Sequence, residues 1–270
     1  MHILIAPNAF KNSLNATEAS EAIRKGLEES KLNCTCECFP IGDGGDGTAQ
    51  LIVEQCMGTW LDAEVQDPLG RYIYAPLGLI DQGKTAVIEL ADASGIRLLL
   101  QEELDPLRSS SFGTGEMILL ALDQGVNKII IGLGGSATVD GGIGILSALG
   151  ARFLDINCAE LPALPENLPR LHDIDITGID KRLFDCNVIV LCDVDNFLLG
   201  KQGAATVFGP QKGAKTAELP ILESGLSNLS EIALKKTGKA MDGLKYGGAA
   251  GGSAAALFAF FNAELLNGAE

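Results

Sequence analysis

Basic residues are scarce in this chain, where 20 Lys and Arg stand against 35 Asp and Glu and leave a formal net charge of −15. That balance argues against nucleic-acid or anionic-membrane binding, since phosphate backbones need clustered Lys and Arg. Histidine is scarcer still: His2 and His172 are the only two, which leaves little scope for an imidazole triad or a His-rich metal site. Long apolar runs are missing. The longest, residues 254–261, is too short to cross a bilayer, and Met1 leads straight into an apolar strand with no basic leader. The chain therefore reads as cytoplasmic. Its seven cysteines are odd in number and are expected as reduced thiols. Cys34, Cys36 and Cys38 alternate along one strand and read as small core hydrophobes rather than as metal ligands.

Glycine, in contrast, is abundant, with 33 in 270 residues, a length that buries a large core in one domain or two. The densest cluster is Lys128-Ile129-Ile130-Ile131-Gly132-Leu133-Gly134-Gly135-Ser136-Ala137-Thr138-Val139-Asp140-Gly141-Gly142. An apolar strand runs here into a turn that can offer bare backbone N–H groups to an anion. Related loops recur at Gly42-Asp43-Gly44-Gly45-Asp46-Gly47-Thr48, Cys192-Asp193-Val194-Asp195-Asn196 and Tyr246-Gly247-Gly248-Ala249-Ala250-Gly251-Gly252-Ser253. Asp193, Asp195 and Asn196 present hard oxygen ligands of the kind Mg²⁺ accepts together with phosphate oxygens and water. With so few basic residues, metal and backbone amides would supply most of the positive potential for a phosphorylated ligand. Lys11, just after the first strand, and Lys212 are the lysines placed to meet an anionic group.

Other readings compete for the same loops. Gly132-x-Gly134-x-x-Ala137, with Asp155 at the end of the next strand, matches a dinucleotide fingerprint. Asp140-Gly141-Gly142 interrupts the point where that fingerprint's helix should begin. No Gly-Lys-Ser/Thr follows for a Walker A loop, and Thr138 occupies the last glycine position of a nucleophile elbow. A tight turn without a ligand is the plain alternative, and helix capping is the plain role for Asp43 and Asp46.

The chain begins β-α-β, with strands over 2–6 and 34–40 and a helix opened by a capping box of Asn15 and Glu18. The loop from Gly42 opens a helix to about Met57, and residues 60–90 change to β runs turned at Asp67-Pro68-Leu69-Gly70 and Asp81-Gln82-Gly83. Further helices are expected over 114–124, 143–149, 216–237 and 253–266, strands over 127–131, 151–154 and 187–192, and a proline-bearing surface loop over 159–169.

These blocks, in this order, resemble the bacterial glycerate kinase family. The resemblance also includes Ala6-Pro7-Asn8-Ala9-Phe10-Lys11-Asn12-Ser13-Leu14, Asp67-Pro68-Leu69-Gly70-Arg71, Lys84-Thr85-Ala86-Val87-Ile88-Glu89-Leu90-Ala91-Asp92-Ala93-Ser94-Gly95, Ser111-Phe112-Gly113-Thr114-Gly115-Glu116 and Val207-Phe208-Gly209-Pro210-Gln211-Lys212-Gly213-Ala214. Asn8 and Asn12 depart from the acid and glycine of many members, and Asp46 replaces a usual glutamate. The resemblance implies an α/β protein of two α/β domains: a Rossmann-like (flavodoxin-like) lobe begun by residues 1–66 and a larger mixed α/β domain over 67–270. Family members continue past position 270 into a segment that completes the first lobe, so that lobe is expected to be incomplete, leaving a shortened chain or one covered by a second copy or another partner.

By the same resemblance the chain phosphorylates D-glycerate with ATP and Mg²⁺, the 2-hydroxyl being favoured. Gly134, Gly135, Ser136, Ala137 and Thr138 are expected at phosphate, Asp193 and Asp195 at Mg²⁺, and Lys11, Asp43 and Asp193 in catalysis. Lys11, Arg71 and Lys212 are expected at the substrate. The alternative is a catalytically silent or partner-dependent form of such a kinase, with an NAD-binding oxidoreductase further behind.

Overall fold

A strand buried along its whole length must be covered on both faces, and Thr85–Glu89, with all five residues buried, is such a strand at the centre of the molecule. The computed structural model describes residues 1–10 and 13–269. In chain order the elements are β1 (His2–Ile5), α1 (Ala16–Glu28), β2 (Thr35–Cys38), α2 (Thr48–Gln55), β3 (Thr59–Gln66), β4 (Tyr72–Ile80), β5 (Thr85–Glu89), α3 (Leu90–Ser94) and α4 (Phe112–Asp123). Then follow β6 (Lys128–Gly132), α5 (Ile143–Ala148), β7 (Arg152–Leu154), β8 (Glu160–Leu161), β9 (Asp173–Asp175), β10 (Asn187–Cys192), α6 (Ala204–Phe208), α7 (Leu219–Thr237), α8 (Ser253–Phe261) and β11 (Glu264–Asn267).

The main sheet has the order β11-β10-β6-β5-β4-β3. Its first four strands are parallel, and β4 and β3 join antiparallel. β1 and β2 form a separate parallel pair, and β8-β7-β9 a small antiparallel sheet. Because β5, β6 and β10 run the same way, the loops at their carboxyl ends gather on one side, where an open α/β sheet holds ligands. The buried side chains of Ile88, Ile129, Ile131, Met117, Ile118, Ile145 and Leu146 fill the core between this sheet and its helices. Ala49, Val53, Ile80 and Val87 form a second cluster under α2.

Missing side chains allow the helices to approach. A Cβ on Gly115 would lie 2.6 Å from Ala148 Cβ, and one on Gly144 would lie 2.5 Å from Phe112 N, so α4 and α5 touch backbone to backbone. A Cβ on Gly113 would overlap the Gln66 carbonyl at the end of β3. The capping box of α1 forms as its sequence predicts: Asn15 Oδ1 accepts the Glu18 N–H at 2.8 Å and Glu18 Oε2 accepts the Asn15 N–H at 2.9 Å.

Several expectations are corrected. The apolar stretch expected as one helix over 253–266 breaks at Asn262, whose φ of 58° is left-handed, and its end becomes β11 because Leu265 and Leu266 pair with Val190 and Leu191. Short apolar runs fit helix and strand alike until a partner is known. The proline-bearing stretch 159–169 contains β8 and leads into a 3₁₀ turn at Pro165–Arg170. β3 pairs with β4 along all of its residues and forms the edge of the main sheet. Cys34, Cys36 and Cys38 are half-buried rather than core, Cys56 and Cys158 are exposed, and all seven cysteines are free. Among the described residues no helix is long and apolar enough to cross a membrane.

Glu89 ends β5 and joins the sheet to the loop before α2, its Oε1 accepting the Gly47 N–H at 2.6 Å. Burial, with the Asp92 charge beside it, pushes this carboxyl up to about 7. Between its ordinary value and that one the folded chain holds a proton that the unfolded chain has released, so stability falls as pH rises through this window and levels off above it. Glu89→Gln keeps an oxygen for Gly47 and removes the titration. The variant is expected to gain stability over the parent between pH 5 and 8, on the order of 1–3 kcal/mol, read as the denaturation midpoint against pH; a difference that does not change with pH would refute the assignment. Gly113→Ala should cost about 1–3 kcal/mol by overpacking, checked by urea unfolding at fixed pH.

Candidate active site

Glycine in the loop of residues 42–48 is required by two left-handed positions, Gly44 (φ 85°) and Gly47 (φ 88°). Thr48 Oγ1 accepts the Gly44 N–H at 3.1 Å, which holds the loop against the start of α2. Asp43 is fixed at both oxygens: Oδ1 accepts the Gly45 N–H at 3.0 Å and Oδ2 accepts Asn8 Nδ2–H at 2.7 Å. The loop after β6 lies directly on it. Gly134 N–H donates to Gly44 O at 3.1 Å, and a Cβ on Gly134 would overlap Gly45 Cα.

That second loop is more fully bonded than its sequence suggests. The N–H groups of Leu133, Gly134, Ala137 and Gly141 donate to carbonyls of Leu191, Gly44, Ser94 and Gly251. Asp140, buried behind the loop, accepts from Gly142 N, Gly144 N, Ser111 N and Ser111 Oγ. Of the five residues expected at phosphate, Gly134 and Ala137 thus spend their N–H groups on holding the loop's shape. Positive charge enters through Lys212 instead. Its side chain is only 3% exposed, and Nζ donates to Ser136 Oγ and to Thr138 O, each at 2.7 Å. Burial pushes this ammonium down to about 7, against Asp140 and Asp193, whose charges raise it.

These loops enclose a cavity of about 700 Å³. Asp43, Gly45 and Asp46 line it from the first loop, Gly135 and Ser136 from the second, Asp193 and Val194 from the end of β10, and Phe208, Gln211 and Lys212 from the segment after α6. Asn8, Phe10 and Asn15 close it from the amino-terminal side. A Cβ built on Gly45 would lie 2.9 Å from Asp43 Oδ1 and 4.0 Å from Asp193 Oδ2, so the two carboxylates converge on one point beside a bare glycine.

The structure therefore brings together Asp43, Asp193, Lys212, Gly135 and Ser136. Gly134, Ala137 and Thr138 lie behind the wall as the loop's support; Ala137 and Thr138 are buried, and Thr138 Oγ1 has no hydrogen-bond partner among the described residues. Lys11 lies outside the described residues. Asp195 is exposed and off the cavity wall. Arg71 is also off the wall, because Asp67 Oδ2 accepts from its Nε at 2.5 Å and Glu103 Oε1 from Nη1 at 2.6 Å. It clips the β3–β4 turn to the 3₁₀ turn at Gln101–Glu103. Asp155 closes its own turn by accepting from Asn157 N and Ala159 N, each at 2.8 Å, which leaves the dinucleotide fingerprint without its ribose partner.

One cation on the wall was missed from sequence. Arg97 lines the cavity, anchored by Asp92, whose carboxyl burial pushes up to about 6 against the pull of Arg97. The available signal was that residues following a central parallel strand face the ligand side of the sheet, and Arg97 follows β5 by way of the short α3.

Among the described residues no three His, Cys, Asp or Glu side chains are grouped to hold a metal. The paired carboxylates of Asp43 and Asp193 nevertheless fit Mg²⁺, which is commonly held by one or two carboxylates with substrate phosphates and water.

Comparison with known proteins agrees with this geometry. Residues 3–270 match the model of the glycerate kinase family. The chain is 46% identical over 270 residues to the glycerate 2-kinase of Escherichia coli K12, covering 100% of this chain and 71% of that protein. It is 42% identical to the glycerate kinase of Bacillus subtilis 168, covering 99% of this chain and 70% of that one. The crystal structure of a glycerate kinase 2 from Salmonella typhimurium LT2 superposes with a TM-score of 0.88 at 44% identity, over 99% of this chain and 72% of that one. With this match along its whole length, the chain belongs to the glycerate kinase family.

Proposed function

We propose that this chain transfers the terminal phosphoryl group of ATP to D-glycerate, at the 2-hydroxyl. The observation that carries the reading is the convergence, in one cavity, of Lys212 under the Gly135–Ser136 turn with the carboxylates of Asp43 and Asp193 beside Gly45. Phosphoryl transfer asks little covalent chemistry of the protein and is driven by positioning and charge stabilisation. Lys212 and the Gly135–Ser136 backbone meet the phosphates, while the apolar faces of Phe208 and Val194 flank the remainder of the nucleotide. Asp193, which follows β10 and lies beside Gly45 on the cavity wall, is assigned to take the proton of the attacking hydroxyl. Asp43, with Asp193 beside it, would hold Mg²⁺, which when bound neutralises charge on the transferring group.

Incubation with ATP, Mg²⁺ and D-glycerate should release ADP above the acceptor-free rate, and phosphorus NMR of the product should identify 2-phosphoglycerate. ADP release unaffected by D-glycerate would sink the reading, and 3-phosphoglycerate would correct the acceptor position. Asp193→Asn is expected to lower kcat by about 10²–10⁴-fold, the range for removing a positioned general base, with a melting temperature close to the parent's. Lys212→Met should lower kcat/KM for ATP by about 10²–10³-fold; a variant that still folds but turns over normally would remove Lys212 from the site.

A further inference from the structure

We propose that Arg97 recognises the carboxylate of the acceptor, and that it is the residue by which this enzyme selects a hydroxy acid over a neutral polyol. The proposal rests on the phosphoryl-transfer reading above and adds a specificity residue to it.

Arg97 is carried by the turn after α3, and that turn is strapped to the phosphate loop. Ile96 N–H donates to Gly135 O and Ala137 N–H to Ser94 O, each at 2.9 Å, while Gly95 bridges Ser136. The guanidinium is thereby fixed relative to Gly135 and Ser136 through short backbone links. Its direction is set by Asp92, which accepts from Nη2 and has a side chain only 13% exposed. Asp46 Oδ1 lies 3.9 Å from Nη1, an ion pair too long for a hydrogen bond. Arg97 itself is 48% exposed and lines the cavity, so the donors that Asp92 does not take are accessible to a ligand there. A planar fork of five N–H donors matches a carboxylate at two points, which a lysine cannot do.

The cavity is polarised in a way that gives each of its cations a different ligand. Among the described residues the wall carries two, Lys212 and Arg97. Lys212 is buried among Ser136, Thr138 and Phe208. Arg97 stands by Asp46, which with Asn8, Asn15, Ala16, Gln50 and Leu51 lines a small recess. Asp43 and Asp193 lie near Gly45 on the same wall. Phosphate at Lys212 leaves the Arg97 end for the acceptor, a small molecule with two hydroxyls and one carboxylate. Amide side chains suit its hydroxyls, and a guanidinium suits its charge.

The test crosses residue with substrate. In the parent chain, Arg97→Met and Arg97→Lys, kcat/KM is measured for D-glycerate and for its uncharged amide, glyceramide. Arg97→Met should lower kcat/KM for D-glycerate on the order of 10- to 100-fold, mostly in KM, leave glyceramide within twofold, and leave KM for ATP within twofold. Arg97→Lys should recover part of the loss. Equal losses on both acceptors, or no loss on D-glycerate, would overturn the proposal while leaving the kinase reading intact. A parent chain that phosphorylates neither acceptor would overturn the kinase reading, and this proposal with it. The double variant Asp92→Asn/Arg97→Met avoids an unpaired buried acid and must give the same pattern. Where glyceramide turns over too slowly to measure, Kd decides: with ADP present, D-glycerate must bind on the order of 10- to 100-fold more weakly to Arg97→Met than to the parent, and ADP alone equally well.

Discussion

The contact between the Gly44–Gly45 backbone and Gly134 is the constraint on which the site depends. Gly134 N–H reaches Gly44 O, a methyl group on Gly134 would overlap Gly45 Cα, and a Cβ on Gly44 would press on the Leu191 backbone at 3.1 Å. Three loops from different strand ends therefore meet through bare backbone. A side chain in any of these places would separate Asp43, Ser136 and Asp193 by its own thickness. Displacement of that order would remove the effect of orientation in phosphoryl transfer, and the spacing of these three residues is set by hydrogen bonds between main chains.

A chain of net charge −15 that handles anions needs cations whose positions do not depend on its overall field. Both cations on the wall are held by groups largely withdrawn from solvent. Lys212 lies between Ser136 and the Thr138 carbonyl, with the Asp140 and Asp193 charges favouring its ammonium form. Arg97 lies against the largely covered carboxylate of Asp92, 13% exposed. Burial opposes the charge on Lys212, and an anion placed beside it would favour that charge. The cost of keeping such groups in the interior is visible in Glu89 and Asp92, both pushed up by burial.

Much of this was legible in the sequence because it is local. The box of Asn15 and Glu18 lies within one turn, and the glycine loops announce themselves by composition. Arg71 shows the limit. Its position in Asp67-Pro68-Leu69-Gly70-Arg71 made it conspicuous, yet the same closeness lets Asp67 accept from Leu69 N, Arg71 N and Arg71 Nε and consume it in the turn. Arg97 carried no motif: Asp92 anchors it locally, but it follows the end of β5 while Gly135, which holds its neighbour Ile96, follows the end of β6. Only the parallel order β10-β6-β5 puts those ends on one side. The division of residues 253–266 into α8 and β11 was hidden for the same reason, since Leu265 and Leu266 declare a strand only when β10 lies beside them.

The hydrogen-bond accounting of the loop after β6 changes what its glycines mean. A run of glycines next to hydroxyls suggests a flexible cradle of open donors, but Leu133, Gly134, Ala137 and Gly141 donate to the protein and Asp140 fastens the far end. The glycines serve close approach, at Gly134 against Gly45 and at Gly142 against Ser253. These ties hold the loop's shape at both ends, so a group bound against it would meet a preorganised surface. What remains adjustable is the charge on Lys212 and the outer edge of Arg97, and those two side chains are where selectivity between anions can be written without disturbing the fold.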